Sequence, residues 1–169
     1  MKIQKTYAAL FLLAGCATQN PQSAEEFRQA VPGAMMAKHE SFEAKRPLRE
    51  ITRTFEARAP ECLNVSVRTV SQTSTSYQNI LTTYRATVKA TAQKAELHLQ
   101  RDFKGGGVVM VGKVPPGGHY MLVADATPID ARRTRIDIYA PKMGADVVVR
   151  AVTGWATGEN LGCPDMTKS

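Results

Sequence analysis

The sequence predicts an α+β domain: an antiparallel β-meander with two helices packed on one face, two layers in all. Between Tyr77 and Tyr139 apolar and polar residues alternate with a period of two almost throughout, the signature of strands with one dry and one wet face. Residues 47–62 carry Leu48, Ile51, Phe55 and Cys62 at helical spacing, and residues 146–156 place Val148, Ala151, Val152 and Trp155 on one helical face. The breaks between alternating stretches are too short for parallel crossovers, so the strands are expected to be antiparallel. Two apolar helical stripes then have one sheet face to cover.

Taken in order, Ser23 and Glu26 form a capping-box pattern ahead of Phe27 and Val31, and Pro32-Gly33 ends any helix begun there. In residues 34–44, Met35, Met36 and Phe42 are expected to pack on the core or edge of the sheet. The clearest helix starts at Pro47, which suits a first turn, with Arg49, Glu50, Arg53 and Arg58 off the apolar stripe and Pro60 in its last turn. Val65, Val67 and Thr69 read as a strand, and the Ser/Thr-rich residues 71–76 as a loop. Tyr84, Ala86 and Val88 alternate with Arg85, Thr87 and Lys89; Ala95, Leu97 and Leu99 alternate with Glu96, His98 and Gln100. Gly105-Gly106-Gly107 and Pro115-Pro116-Gly117-Gly118 interrupt the pattern, leaving strands over 108–114, 120–127 and 134–139. Asp146 is a candidate cap and Gly158 a stop for the last helix; a strand over Val147-Val148-Val149 is the alternative.

The ends of the chain carry a different signal. Lys2 and Lys5 precede an apolar run over residues 7–13 that closes on Leu13-Ala14-Gly15-Cys16. That is the layout of a secretory signal, too short to span a bilayer, which needs roughly 20 apolar residues. Three segments follow: a signal over 1–15, a polar spacer with Pro21 over 16–26, and one globular domain over 27–169, a length sufficient for a single core. The mature chain loses Lys2 and Lys5, and its formal charge falls from +7 to +5. The cations are dispersed, without the basic tract interleaved with aromatics that nucleic acid requires.

Leu-Ala-Gly before cysteine resembles the lipobox of bacterial lipoproteins. The resemblance implies an acylated Cys16, a membrane partner through that anchor and, with Ala17 rather than Asp following, the periplasmic face of the outer membrane. Two or three acyl chains suffice for stable anchoring. Cys62 and Cys163 then remain as an even pair in an oxidising compartment, where one disulfide is the natural reading. It would close a loop of 102 residues, for which chain entropy gives roughly 4 to 5 kcal/mol as an upper figure. Two buried thiols, or a metal shared with a distant histidine, are the alternatives; His39, His98 and His119 lack ligand spacing relative to either cysteine.

Chemistry-bearing patterns are sparse. Gly105-Gly106-Gly107 lacks the Lys-Ser/Thr and helix of a phosphate loop and reads as a hairpin turn. Arg132, Arg133 and Arg135 are a candidate anion grip, with Asp130 and Asp137 near enough in sequence to neutralise them in a solvated turn. Trp155, Glu159 and Asn160 are a candidate sugar- or partner-binding surface, against which stands Trp155 as a core plug. His119 with Asp125 is the one dyad that folding would have to assemble. No metal or cofactor is expected.

The segments Ala59-Pro60-Glu61-Cys62-Leu63-Asn64-Val65 and Gly154-Trp155-Ala156-Thr157-Gly158-Glu159-Asn160-Leu161-Gly162-Cys163-Pro164-Asp165, with residues 21–28, are similar to a family of small uncharacterised proteobacterial lipoproteins. That family has no assigned reaction. The expectation is a non-enzymatic binding or assembly module whose partner is an envelope protein or cell-wall component. The alternative is a carrier holding a lipid or small apolar ligand between sheet and helices.

Overall fold

The computed structural model describes residues 20–106 and 112–168; the expected lipidation at Cys16 and the expected strand residues 108–111 lie outside them. Alternating segments become six strands: β1 (Ala37–Ala44), β2 (Ser66–Gln72), β3 (Tyr77–Ala90), β4 (Ala95–Gly105), β5 (His119–Pro128) and β6 (Thr134–Pro141). They form one sheet in the order β1-β6-β5-β4-β3-β2, each neighbour antiparallel. Three helices accompany them: α1 (Ala24–Ala30), α2 (Leu48–Leu63) and α3 (Asp146–Thr157). The expected α+β fold, a meander carrying helices, is what forms.

β1 and β2 are consecutive strands yet occupy opposite edges, so α2 must carry the chain across the whole sheet. Its 16 residues reach roughly 24 Å at 1.5 Å each. Five inter-strand steps of about 4.8 Å require the same span. The helix is as long as its crossing demands. It buries Ile51, Phe55, Ala59 and Leu63, all 0% exposed, against Leu97, Leu99, Leu122 and Ile136. α3 adds Val148, Val152 and Trp155 to the same core. At the exit of α2, Asn64 Oδ1 accepts a hydrogen bond from the Ala86 amide at 2.6 Å, tying the helix end to β3.

Several local expectations are revised. Met35 and Met36 are 92% and 51% exposed, so of the three only Phe42 packs against the core, half-buried. Ser71 and Gln72 extend β2 and confine the loop to residues 73–76, where Thr73 Oγ1 accepts the Ser76 amide. Residues 112–114 are irregular rather than strand, and the expected break at 115–118 forms a turn, with Gly117 and Gly118 at φ of 89° and 104°. Residues 146–157 are helical, not strand, but Asp146 sits inside the first turn and Ala145 is the uncapped N-terminal residue. There the Asp146 carboxylate faces the positive end of the helix dipole. Gly158 stops α3 at φ 90°, its amide bonding to the Gly154 carbonyl.

α1 begins within the stretch expected to be spacer. Ser23 Oγ accepts the Glu26 amide, and Glu26 Oε2 reaches back to the Gln22 amide. Its Ala24 and Phe27, with Val31 beyond, bury against Val123 beside Tyr120 and Tyr139, on the face opposite α2 and α3. Half of the face expected to be wet is therefore covered.

Cys62, in the last turn of α2, is disulfide-bonded to Cys163 beyond α3, with Cα atoms 4.9 Å apart. The bond staples the two helices that cover the core. Reduction should add two hydrogens to the intact mass, and Cys163→Ser should lower the unfolding free energy in urea by about 2 to 4 kcal/mol.

Candidate functional site

Pairing register lines up three carboxylates on the α1 side of the sheet: Glu96 opposes Asp125, and Asp125 opposes Asp137. Like charges directly across strands repel, so cations must accompany them. Arg28 supplies the first from α1, forking onto Asp125 with Nε to Oδ2 and Nη2 to Oδ1, both at 2.7 Å. The same Nη2 lies 2.8 Å from Glu96 Oε1. Lys94 Nζ closes the group, 2.6 Å from Glu96 Oε1 and 3.3 Å from Asp125 Oδ1. Asp137 has His39 Nε2 at 3.4 Å, and the His39 ring stacks on Tyr139 with centroids 4.4 Å apart.

The centre of this cluster is shielded from water. The side chains of Arg28 and Asp125 are 13% and 9% exposed, a setting in which a bidentate guanidinium–carboxylate pair is stronger than at the surface. Burial alone would push the Glu96 pKa up, but the hydrogen bond from Lys94 and the charges of Arg28 and Lys94 outweigh it, so Glu96 titrates below its ordinary value. His98 is shifted the other way in chemical sense: burial first, then Arg28 and Lys89 against the opposing pull of Glu96, favour its neutral form and lower its pKa. Its Nε2 lies 3.2 Å from Glu96 Oε2, an ion-pair distance, yet off the line a hydrogen bond needs. A neutral imidazole beside an ionised carboxylate fits that geometry.

Chemically, the cluster is a clamp between a helix and a sheet. Both Asp125 oxygens and Glu96 Oε1 are engaged by guanidinium and ammonium, while Glu96 Oε2 has His98 beside it. Among the described residues no set of three His, Cys, Asp or Glu side chains is arranged to hold a metal ion.

The residues singled out in the sequence are placed elsewhere. Trp155 is 1% exposed, a core plug whose Nε1 has no hydrogen-bond partner among the described residues; it cannot share a surface with Glu159 and Asn160. Those two are exposed, Glu159 accepting from Thr157 and Asn160 from Arg58 at 3.4 Å. Arg133 binds Asp130 at 2.7 Å and Glu43 at 3.3 Å, while the Arg132 and Arg133 amides also bond to Asp130. The arginines shape the β5–β6 turn. Arg135 is on β6 opposite Glu43, and Asp137 turns to His39 instead of neutralising the group. His119 and Asp125 form no dyad: six residues along one strand separate them by roughly 20 Å, and Arg101 and Asp102 are the charges that act on His119.

From the sequence, Asp125 is named only as a partner for His119, and Arg28, Lys94, Glu96 and His98 are missed. The strand residues sit on a face read as solvated, and Arg28 on a short helix given no place on the sheet. The available signal was the spacing of Ala24, Phe27 and Val31, an apolar stripe that needed Val123 and Tyr139 beneath it. The chain matches no protein-family model, and no curated protein is significantly similar to it.

Removing the clamp should be costly: Arg28→Ala leaves Asp125 and Glu96 underpaired and should lower stability by about 2 to 4 kcal/mol, with Arg28→Lys restoring only part because an ammonium cannot fork. Acidification should act in two windows. His98 binds protons less readily folded than unfolded, so its contribution is present above its ordinary value of 6.5 and is lost as pH falls below it. Burial lowers His119 likewise, so it shares that window. The depressed Glu96 adds stability present above 4.5 and lost as pH falls through its lower folded value. Urea unfolding of His98→Gln should show a shallower decline between neutral pH and 5 than the unmodified chain.

Proposed function

We propose that the protein is an outer-membrane lipoprotein, anchored on the periplasmic face through acylated Cys16, whose domain is a non-enzymatic binding or assembly module of the cell envelope. The observation that carries the reading is the division of the cysteines. Cys62 and Cys163 are consumed in a disulfide, which suits an oxidising compartment and leaves Cys16, at the end of Leu13-Ala14-Gly15, as the remaining thiol for lipid. The resemblance of residues 21–28, 59–65 and 154–165 to small proteobacterial lipoproteins points the same way.

A carrier role is less well supported. The space between the sheet and α2 with α3 is occupied by Ile51, Phe55, Leu97, Leu99 and Trp155, each 0–1% exposed. A partner surface is better supplied by the part of the polar face that α1 leaves open, where Arg85, Thr87 and Lys89 of β3 are exposed. Glu159 and Asn160, without Trp155, and the Arg132–Arg133 turn with Arg135 are secondary candidates for contact with an envelope protein or cell-wall component.

Labelled palmitate should enter the full chain in cells and not Cys16→Ser; label in both would defeat the anchor. A photocrosslinker at position 89 should capture one discrete envelope component, and a charge-reversed Lys89→Glu, Arg85→Glu chain should lose a partner recovered by pull-down. Retention of that partner would move the surface elsewhere.

A further inference from the structure

Antiparallel order collects alternate strand ends at each pole of the sheet. One pole holds the start of β1, the end of β6, the start of β5, the end of β4, the start of β3 and the end of β2. Seven large hydrophobic side chains are exposed among the described residues, and six of them lie at this pole: Met35, Met36, Val114, Met143, Tyr77 and Val70. Only Ile129 is at the other. Met36 and Met143 are brought together there by the bond from the Lys142 amide to the Met36 carbonyl. Lys104, Lys113 and Lys142 are exposed at the same pole; at the opposite pole Lys45 and Arg132 are exposed and Arg133 is paired with both Asp130 and Glu43.

The chain also enters at this pole. Gln22 Nε2 donates to the Lys113 carbonyl at 2.8 Å, and Pro21 lines a shallow groove with Met36, Arg101, Tyr120 and Pro141. Three residues separate Cys16 from Asn20, a reach of at most about 14 Å. Whatever acyl chains Cys16 bears are inserted in a bilayer whose surface is within that distance of this pole.

We infer that this pole is a membrane-contact surface, laid on the anionic phospholipid bilayer that holds the acyl anchor, with Met35, Met36, Met143 and Tyr77 at headgroup depth and Lys104, Lys113 and Lys142 among the phosphates. The inference rests on the anchor proposed above. The apolar groups are spread from β1 to β2, roughly 24 Å, shallow and interspersed with lysines. A soft lipid surface accommodates such scatter, and its affinity is the sum of buried apolar area and attraction to anionic headgroups. A protein hot spot would instead gather its apolar residues at one centre. Orientation follows: the Arg132–Arg133 turn points away from the bilayer.

The test uses the full, processed chain in vesicles of phosphatidylethanolamine with a quarter phosphatidylglycerol. Spin labels at Met35→Cys and Met143→Cys are compared with one at Ile129→Cys, all at exposed positions, with acylation of Cys16 and the Cys62–Cys163 bond checked by intact mass. The ratio of oxygen to nickel-chelate accessibility should be at least about threefold higher at positions 35 and 143 than at 129, and should fall when Lys104, Lys113 and Lys142 are changed to Glu. Equal ratios on an acylated chain overturn the contact surface and leave the anchor standing. An unacylated Cys16 overturns both. Labels that are wet in vesicles but shielded in native envelopes overturn it in favour of a protein covering the pole.

Discussion

The fork of Arg28 on Asp125, shared with Glu96, is the interaction that gives this molecule a direction. Without it α1 is seven residues of helix, too short to persist by itself in water. Its apolar stripe of Ala24, Phe27 and Val31 is narrow. The clamp holds it to the sheet, and so fixes where the chain arrives from its N-terminal side. The row of carboxylates on β4, β5 and β6 would be a liability on a bare sheet; with Arg28 and Lys94 in place it becomes the means of locating a helix.

The opposite face is governed by a different constraint. β1 and β2 are the two edges, so one helix must cross the entire sheet and a second must fill what it leaves. Leu, Ile and Phe side chains complete that layer, and the Cys62–Cys163 bond locks α2 to the segment beyond α3. The two faces thus divide the work. One is a dry, stapled core; the other is partly covered by a polar clamp and partly open, with Arg85 and Lys89 exposed.

Much of this was legible in the residues. Period-two alternation located β3, β4, β5 and β6, apolar stripes located α2 and α3, and the two cysteines left after Cys16 foretold the bond. What escaped depends on tertiary neighbours. Glu96, His98 and Asp125 look solvated in their strands, because alternation says which face a residue is on and not what covers it. β1 pairs with β6 about a hundred residues away, and no local pattern announces such a partner. Met35 and Met36 read as packing residues by their hydrophobicity, yet they precede β1 and are exposed. Trp155 is the plug and not part of a surface, since an indole in an apolar helical stripe is drawn into the core.

Hydrogen exchange at the amides of α1 tests the clamp most directly, since a free helix of that length has no protection of its own. The account predicts that the Phe27 to Ala30 amides exchange nearly as slowly as the centre of β5 in the unmodified chain, and that Arg28→Ala releases them selectively while β4 and β5 stay protected. Exchange of α1 within seconds in the unmodified chain, or protection undisturbed by the loss of Arg28, would contradict it.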